Sequence, residues 1–344
     1  MAGWAYRIAR VTGLHRVVRW RYGGCGSIFL LHRVVPVLPP SPLTLTRCLA
    51  TTPAYLRTLL AGLRTDGYEF IPLSAVPARL AAGPHSRRFA CFTCDDGYRD
   101  NLTHALPLFA AEGVPFTVYV TTGYPDRQCY PWWHVVEEVL RRGQPVQFTC
   151  RDQSYTLATA TPADQQHASA VIGDLLFGLD WPAQDRLVSA LARGGGLDPW
   201  QSLSLMLDWP ALQRLAQHPL VTVGAHSLTH PRLSALSLDA ARREIVGSRQ
   251  RVQAMVGQCD HFAFPYGGPA AVGRREGELV AAAGFATATT TRMSNVFPAH
   301  AGACHRLPRL LVQEQVEDLA HFRVVQLSGL AAATAAPGHC EAVP

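Results

Sequence analysis

The chain contains no lysine: all 31 of its basic residues are arginine, and with 25 acidic residues the formal charge is +6. A basic excess of that size gives weak attraction to anionic surfaces. No arginine block is interleaved with stacking aromatics and no nucleic-acid module is recognisable, so no nucleic-acid partner is expected. Also missing is any apolar run that approaches the length of a membrane span. The first apolar run, Ser27 to Leu31, leads into His32 and Arg33 and not into a small-residue cleavage site. No secretory signal is read there, and the expected location is the cytoplasm. Charged residues are scarce, at 16% of 344, while apolar residues reach 48%. That balance excludes a disordered chain and allows one large α/β domain or two ordinary ones. The nine cysteines form an odd set without framework spacing, which points to reduced, mostly buried thiols. Cys91 and Cys94 make a CxxC inside the strand-like run FACFTC, where residues three apart face opposite sides, so they are not expected to share a ligand.

In the first 22 residues there are five arginines and no acid, and Trp4, Ile8, Val11, Leu14 and Val18 share a helical face. Residues 1–24 therefore read as a basic amphipathic helix. It either packs on the domain or lies on an anionic membrane surface, in which case the protein sits peripherally at the inner face of the membrane.

From Ser27 onward, short apolar strands alternate with helices, the signature of a mainly parallel sheet with crossovers. Strands are expected at 27–31, 69–72, 89–94, 116–120, 220–223, 261–264, 286–290 and 309–312. Helices are expected at 55–63, 102–112, 208–217, 239–256 and 272–283. Seven or eight such units make a closed or nearly closed barrel over residues 25–327, with chemistry on the loops that follow the strands. The interval 124–207 breaks the rhythm with Trp132-Trp133 and three glycines at 194–196, and reads as an insertion over the active face. Residues 328–344, rich in Ala, Gly and Pro, are expected to be a disordered tail.

Three segments carry chemistry, and each follows an expected strand. Asp95-Asp96-Gly97 closes the run FACFTC. Consecutive side chains diverge, so one carboxylate can bind a cation while the other faces a neighbouring water. His226-Ser-Leu-Thr-His230 follows LVTVGA, and histidines four apart on a helical turn can chelate one metal, with Pro231 ending the turn. Phe262-Ala-Phe-Pro-Tyr-Gly-Gly268 lets the backbone turn sharply and aim an N–H at a developing oxyanion. Alone, each is also an ordinary turn or a pair of structural histidines. Together, Asp96, His226 and His230 supply three ligands of the kind zinc accepts and leave a position for water. Asp95 is then free to act as a base.

In order and spacing, TCDDGYRDN at 93–101, GAHSLTH at 224–230 and FAFPYGG at 262–268 resemble the three main motifs of the polysaccharide deacetylase family, carbohydrate esterase family 4, which contains the NodB-like deacetylases. With LLHRV near the start and LPRL near the end, the resemblance spans about 27–312. It implies a distorted (β/α)7-8 barrel and hydrolysis of an N-acetyl group on a glucosamine-type sugar. By the same resemblance Asp95 matches the catalytic base, Asp96, His226 and His230 match the metal ligands, and Tyr266 falls where a backbone amide stabilises the oxyanion. One divalent metal is implied, zinc being the usual one, with cobalt or nickel as substitutes.

Two positions depart from the family pattern. Ala263 stands two residues before Pro265, where many members have an arginine that holds the base, and Arg309 is the candidate replacement. The late Leu-x-x-His that carries the general acid has no recognisable counterpart, which leaves His32, at the end of the first strand, and His305 as candidates for an acid or substrate contact. Trp132, Trp133 and Tyr130 are candidates to stack on sugar rings. The expected partner is a carbohydrate bearing an N-acetyl amino sugar, in a polysaccharide, an oligosaccharide or a lipid-linked precursor. The alternatives are hydrolysis of an amide or formamide on a different substrate, and a non-catalytic carbohydrate-binding relic of the fold.

Overall fold

The structure, a computed structural model, describes residues 23–314 apart from 42 and 83–86, together with Thr12, Phe322 and Leu327. The expected basic helix at 1–24 falls outside the described residues except for Thr12, Gly23 and Gly24, and the expected tail at 328–344 lies wholly outside them.

Runs rich in β-branched and aromatic residues form the strands, numbered along the chain as β1 (Gly26–Leu31), β2 (Arg33–Val34), β3 (Ala50–Thr51), β4 (Glu69–Phe70), β5 (Phe89–Cys94), β6 (Phe116–Val120), β7 (Val146–Cys150), β8 (Gln153–Leu157), β9 (Val221–Ala225), β10 (His261–Ala263), β11 (Thr287–Met293) and β12 (Leu307–Leu311). Seven of them close a parallel ring in the order β1-β12-β11-β10-β9-β6-β5, because β1 pairs with β5 as well as with β12. β4 pairs with the start of β5, while β2 and β3 form a short parallel pair of their own. The fold is the closed barrel that the strand–helix alternation predicts, and the distorted (β/α)7-8 barrel that the family resemblance implies.

Strand alternation sorts the core into two layers. Phe29, Leu31, Phe92, Cys94, Val118 and Phe262 are packed among helix residues such as Leu56, Leu59, Leu60 and Ile245. The other face of the same strands places Ile28, Cys91, Tyr119, Ala263 and Leu307 in a second cluster inside the ring. Cys91 and Cys94 therefore belong to opposite layers, and both are free thiols. Gly224 is required by this interior: a Cβ there would lie 2.6 Å from the Tyr119 ring and 2.7 Å from the His261 carbonyl oxygen.

Proline chemistry explains two differences from the expected boundaries. β4 ends at Phe70, short of Pro72, which has no N–H to donate to a ladder. The helix expected at 102–112 opens as a π turn, Asn101–Ala105, before the α-helix Leu106–Ala111. Pro107 cannot complete the usual bond to residue 103, and its ring crowds that carbonyl.

The insertion is more regular than its sequence rhythm indicates. It holds the helices Trp132–Arg141, Pro162–Phe177 and Trp181–Gly194, and β7 and β8 pair as an antiparallel hairpin. Its own core includes Val136, Leu140, Ile172, Leu176, Val188 and Leu191. The helix Pro162–Phe177 starts at a capping box in which Thr161 Oγ1 accepts from the Asp164 amide and Asp164 Oδ2 accepts from the Thr161 amide.

Candidate metal centre and active site

The site lies where the barrel strands end. β5 stops at Cys94, and alternation carries Asp95 inward after Cys91 and Thr93. Asp96 leaves that alternation through a backbone φ of 71°. The adjacent carboxylates consequently meet different partners.

Asp95 meets Arg309 from β12. Two nearly parallel hydrogen bonds join them, Nη1 to Oδ1 at 2.6 Å and Nη2 to Oδ2 at 2.7 Å, and Arg309 is fully buried. The same guanidinium donates to the Thr290 carbonyl at 2.9 Å and to Thr93 Oγ1 at 3.0 Å, which fixes its plane. Burial opposes ionisation of Asp95, but Arg309 outweighs it, with smaller help from His226 and His32, and the pKa falls to about 2. The residue at the expected motif position, Ala263, is a buried wall of the ring interior.

Asp96 meets the two histidines. Its Oδ1 lies 3.5 Å from His226 Nε2 and 3.4 Å from His230 Nε2, and the three ligand atoms are all within 4.8 Å of one another. With metal–ligand bonds of about 2.1 Å, neighbouring ligands of a tetrahedral zinc ion stand about 3.4 Å apart, so these spacings suit such an ion. Asp96 Oδ1 is buried and accepts no hydrogen bond within the structure. A buried, unpartnered carboxylate oxygen facing two imidazoles fits a cation-binding set. Burial, reinforced by Asp95, raises the Asp96 carboxyl well above the usual range, and burial lowers both imidazoles. Neutral imidazole is the ligating form.

Surrounding groups set the ligand orientations. His226 Nδ1 donates to the Ala263 carbonyl at 2.8 Å, leaving Nε2 toward Asp96. His230 Nδ1 has no partner; its ring is held instead between His226, Tyr266 and Trp133, at centroid distances of 4.9, 4.8 and 5.0 Å. The loop between the histidines is tied to the helix Leu238–Val256, where Glu244 accepts from the amides of Leu228 and Thr229 and from Thr229 Oγ1. Ser227 Oγ accepts from the His230 amide at 2.9 Å.

Backbone strain is concentrated in these loops. Asp96, Ser227, His230 and Tyr266 all have φ between 61° and 71°, a region that costs a non-glycine residue about 1–3 kcal/mol. At Tyr266 the turn is completed by Gly267, whose φ is 61° and where a Cβ would lie 2.5 Å from the Thr291 amide nitrogen. Thr291 Oγ1 donates to the Tyr266 carbonyl at 2.6 Å. Among the described residues nothing accepts from the Tyr266 amide, which is left for a ligand.

These residues open on one cavity, lined also by His32, Thr291 and Gln313. His32 Nδ1 is buried without a partner, and burial holds the imidazole at about 4 despite the attraction of Asp95. His305 is not brought to the site. It precedes β12, at the opposite end of the barrel, and its Nε2 is hydrogen-bonded to the Phe285 carbonyl at 2.8 Å. Trp132 and Trp133 line the cavity, but Tyr130 does not. Its ring packs edge-on against Trp181 and Trp200 and its hydroxyl donates to Asp185 at 2.7 Å, so it serves the core of the insertion. Three further residues shape the site without belonging to a motif role: Thr291 lines the cavity, and Thr93 and Glu244 act through Arg309 and the 228–229 loop. Alternation along β5 and β11 could have placed the two threonines inward; nothing local singles out Glu244 within its helix.

The sequence matches the family model for polysaccharide deacetylase over residues 82–169 and 184–286, more than half of the chain and including all three motif loops. No curated protein matches it. Similar solved structures include the Streptococcus pyogenes deacetylase PplD in complex with acetate, at 14% identity over 87% of this chain and 97% of that one, with a TM-score of 0.54. The de-N-acetylase from Aggregatibacter actinomycetemcomitans is 11% identical over 87% of this chain and 99% of its own, with a TM-score of 0.53. IcaB from Ammonifex degensii is 16% identical over 89% and 96%, with a TM-score of 0.53. At such identities the likeness is one of fold, and the motif-bearing match carries the assignment: the chain belongs to the polysaccharide deacetylase family.

Proposed function

We propose that the protein is a metal-dependent N-deacetylase that releases acetate from an amino sugar of an oligosaccharide, a polysaccharide or a lipid-linked glycan precursor. One observation carries this reading: a carboxylate kept ionised by Arg309 stands beside an orphaned Asp96 and two imidazoles, all facing one cavity.

In this reading Asp95 accepts a proton from the attacking water. Arg309 orients it but makes it a weak base. Asp96, His226 and His230 would hold a divalent ion, which would acidify the water and polarise the amide carbonyl and so supply what Asp95 lacks. Zinc suits two nitrogens and one oxygen, and cobalt and nickel accept the same donors. The Tyr266 amide donates to the carbonyl oxygen as charge develops there. His32, neutral at pH 7, passes the proton taken by Asp95 to the leaving nitrogen and ends neutral, so that a free amine and acetic acid leave, the acid giving its remaining proton to water to become acetate. A binding relic of the fold would have no use for a buried carboxylate without a partner.

Among the described residues no helix is long and apolar enough to cross a membrane. The arginine-rich first 22 residues support contact with an anionic membrane surface, and with it a lipid-linked substrate on the cytoplasmic side. Acetate release by the purified enzyme, assayed with and without a chelator, tests the proposal. Loss with the chelator and recovery on adding zinc or cobalt is expected, and an unchanged rate would refute metal dependence.

A further inference from the structure

The cavity over the metal centre is roofed. On one flank, the segment after β2 runs through the helical turn Thr44–Arg47, which packs on the helix Trp132–Arg141. Leu43, Leu45 and Leu49 from that segment join the apolar core of the insertion. On the other flank the insertion reaches Tyr266. Trp132 Nε1 donates to the Tyr266 hydroxyl at 3.1 Å, and Phe177 meets the Tyr266 ring edge-on at 4.5 Å. The Arg232 guanidinium covers Phe177 at 4.7 Å.

The insertion is therefore fastened at two places around the cavity, and its Trp132 and Trp133 line it, Trp133 against the His230 ring. The side chains of Asp96, His226 and His230 are only 3%, 3% and 8% exposed. A polymer modified at an internal residue has to lie across the site with neighbours on both sides, and here the 43–49 segment stands on one side and Tyr266 with the insertion on the other. Apart from Thr291 and Gln313 the remaining wall is apolar, formed by Leu30, Leu45, Cys48, Leu49, Leu311 and Trp132. Sugar hydroxyls find few partners on such a wall, whereas an apolar group gains by contact with it.

Building on the deacetylase reading, we propose that the enzyme works end-on: it takes one terminal N-acetylated amino sugar, carried on an apolar group, and does not act within a polymer. The insertion and the 43–49 segment set this specificity by closing the flanks that a linear chain would occupy.

The test compares two kinds of substrate with the metal-loaded full-length enzyme. Methyl and octyl glycosides of N-acetylglucosamine, N-acetylgalactosamine and N-acetylmannosamine probe the apolar wall. A β-1,4-linked N-acetylglucosamine hexamer, sequenced by mass spectrometry after reaction, shows which residues lose acetate. The expected result is a KM at least tenfold lower for the preferred octyl glycoside than for its methyl counterpart, with any loss on the hexamer confined to a terminal sugar. Internal deacetylation of the hexamer would overturn end-on access, and equal KM values would overturn the apolar carrier. Absence of acetate from every compound would instead overturn the deacetylase reading itself. Leu45→Ala with Leu49→Ala opens the roof and is expected to add internal deacetylation; no such gain in a variant that melts like wild type and keeps its metal would contradict the role given to the roof.

Discussion

Arg309 and Asp95, 214 residues apart in the chain, are joined by two hydrogen bonds of 2.6 and 2.7 Å inside the barrel. The pairing restores from β12 the support that Ala263 withholds on β10. Since both groups are buried, removing one strands the other. Arg309→Met is expected to destabilise the fold by about 3–5 kcal/mol. Arg309→Lys, which keeps the charge and loses the two-pronged geometry, should melt closer to wild type while turnover still falls. Thermal melts and kcat for the two variants check this, and a fully active Arg309→Lys would show that the paired geometry is unimportant.

Asp96 is a poor choice for stability and a good one for a ligand. Its Oδ1 is buried and unpartnered, and its φ is 71°. Asp96→Asn removes a buried carboxyl and keeps a residue type that tolerates that conformation. In metal-free protein the variant should melt no lower than wild type, while its zinc affinity, read by chelator competition, drops at least about tenfold. A large loss of metal-free stability would mean that Asp96 has a structural partner.

The proposed oxyanion role of the Tyr266 turn is tested at Gly267. Gly267→Ala puts a methyl group at φ 61° and 2.5 Å from the Thr291 amide, displacing Tyr266. A loss of about 10²–10³ in kcat with unchanged metal content is expected, the range for a lost oxyanion donor.

His32→Gln keeps the size and polarity of His32 and cannot relay a proton. Turnover should fall by about 10²–10⁴ while metal content and melting temperature hold. A variant that retains most of its turnover would remove His32 from the reaction.

Asp126, just beyond β6, offers a pH test remote from the metal centre. It accepts from Arg251 Nε at 2.8 Å and from Trp209 Nε1 at 2.7 Å, tying the start of the insertion to the helix Leu238–Val256. Partial burial raises its pKa, but the bonds from Arg251 and Trp209 outweigh that and leave it depressed. A depressed folded-state pKa stabilises above the unfolded value and loses its effect as pH falls through the folded one. Arg251 is partly exposed, which limits the contribution to about 1 kcal/mol. The melting temperature of Asp126→Asn should thus trail wild type at pH 7, and the gap should close below about pH 4, the ordinary carboxylate range.

β5 and β6 run over the residues expected from their mainly apolar character, broken only by Thr93 and Thr117, and the three motif loops were legible because Asp95, His226 and Tyr266 each come shortly after a strand-like run. Direction was the harder matter. His32 follows β1 and reaches the cavity, whereas His305 precedes β12 and is carried to the other end of the barrel; sequence shows proximity to a strand more readily than which end a residue occupies. Inward aim was harder still, since Arg309 reaches Asp95 only through the register of β12, set by long-range pairing with β1 and β11. In the insertion, the Thr161–Asp164 cap and the prolines at 162 and 182 mark helix starts that the missing barrel rhythm obscured. Tyr130 shows the same limit: an aromatic near a site cannot be told from one in a core until the packing is known.

In the proposed mechanism Asp95 moves the proton beside an intact metal centre. The most direct test is acetate release by wild type and Asp95→Asn, each purified and loaded to the same zinc content. One zinc per chain is expected in both proteins, with a turnover at least about 10²-fold lower in the variant. Equal turnover at equal zinc content would contradict that mechanism.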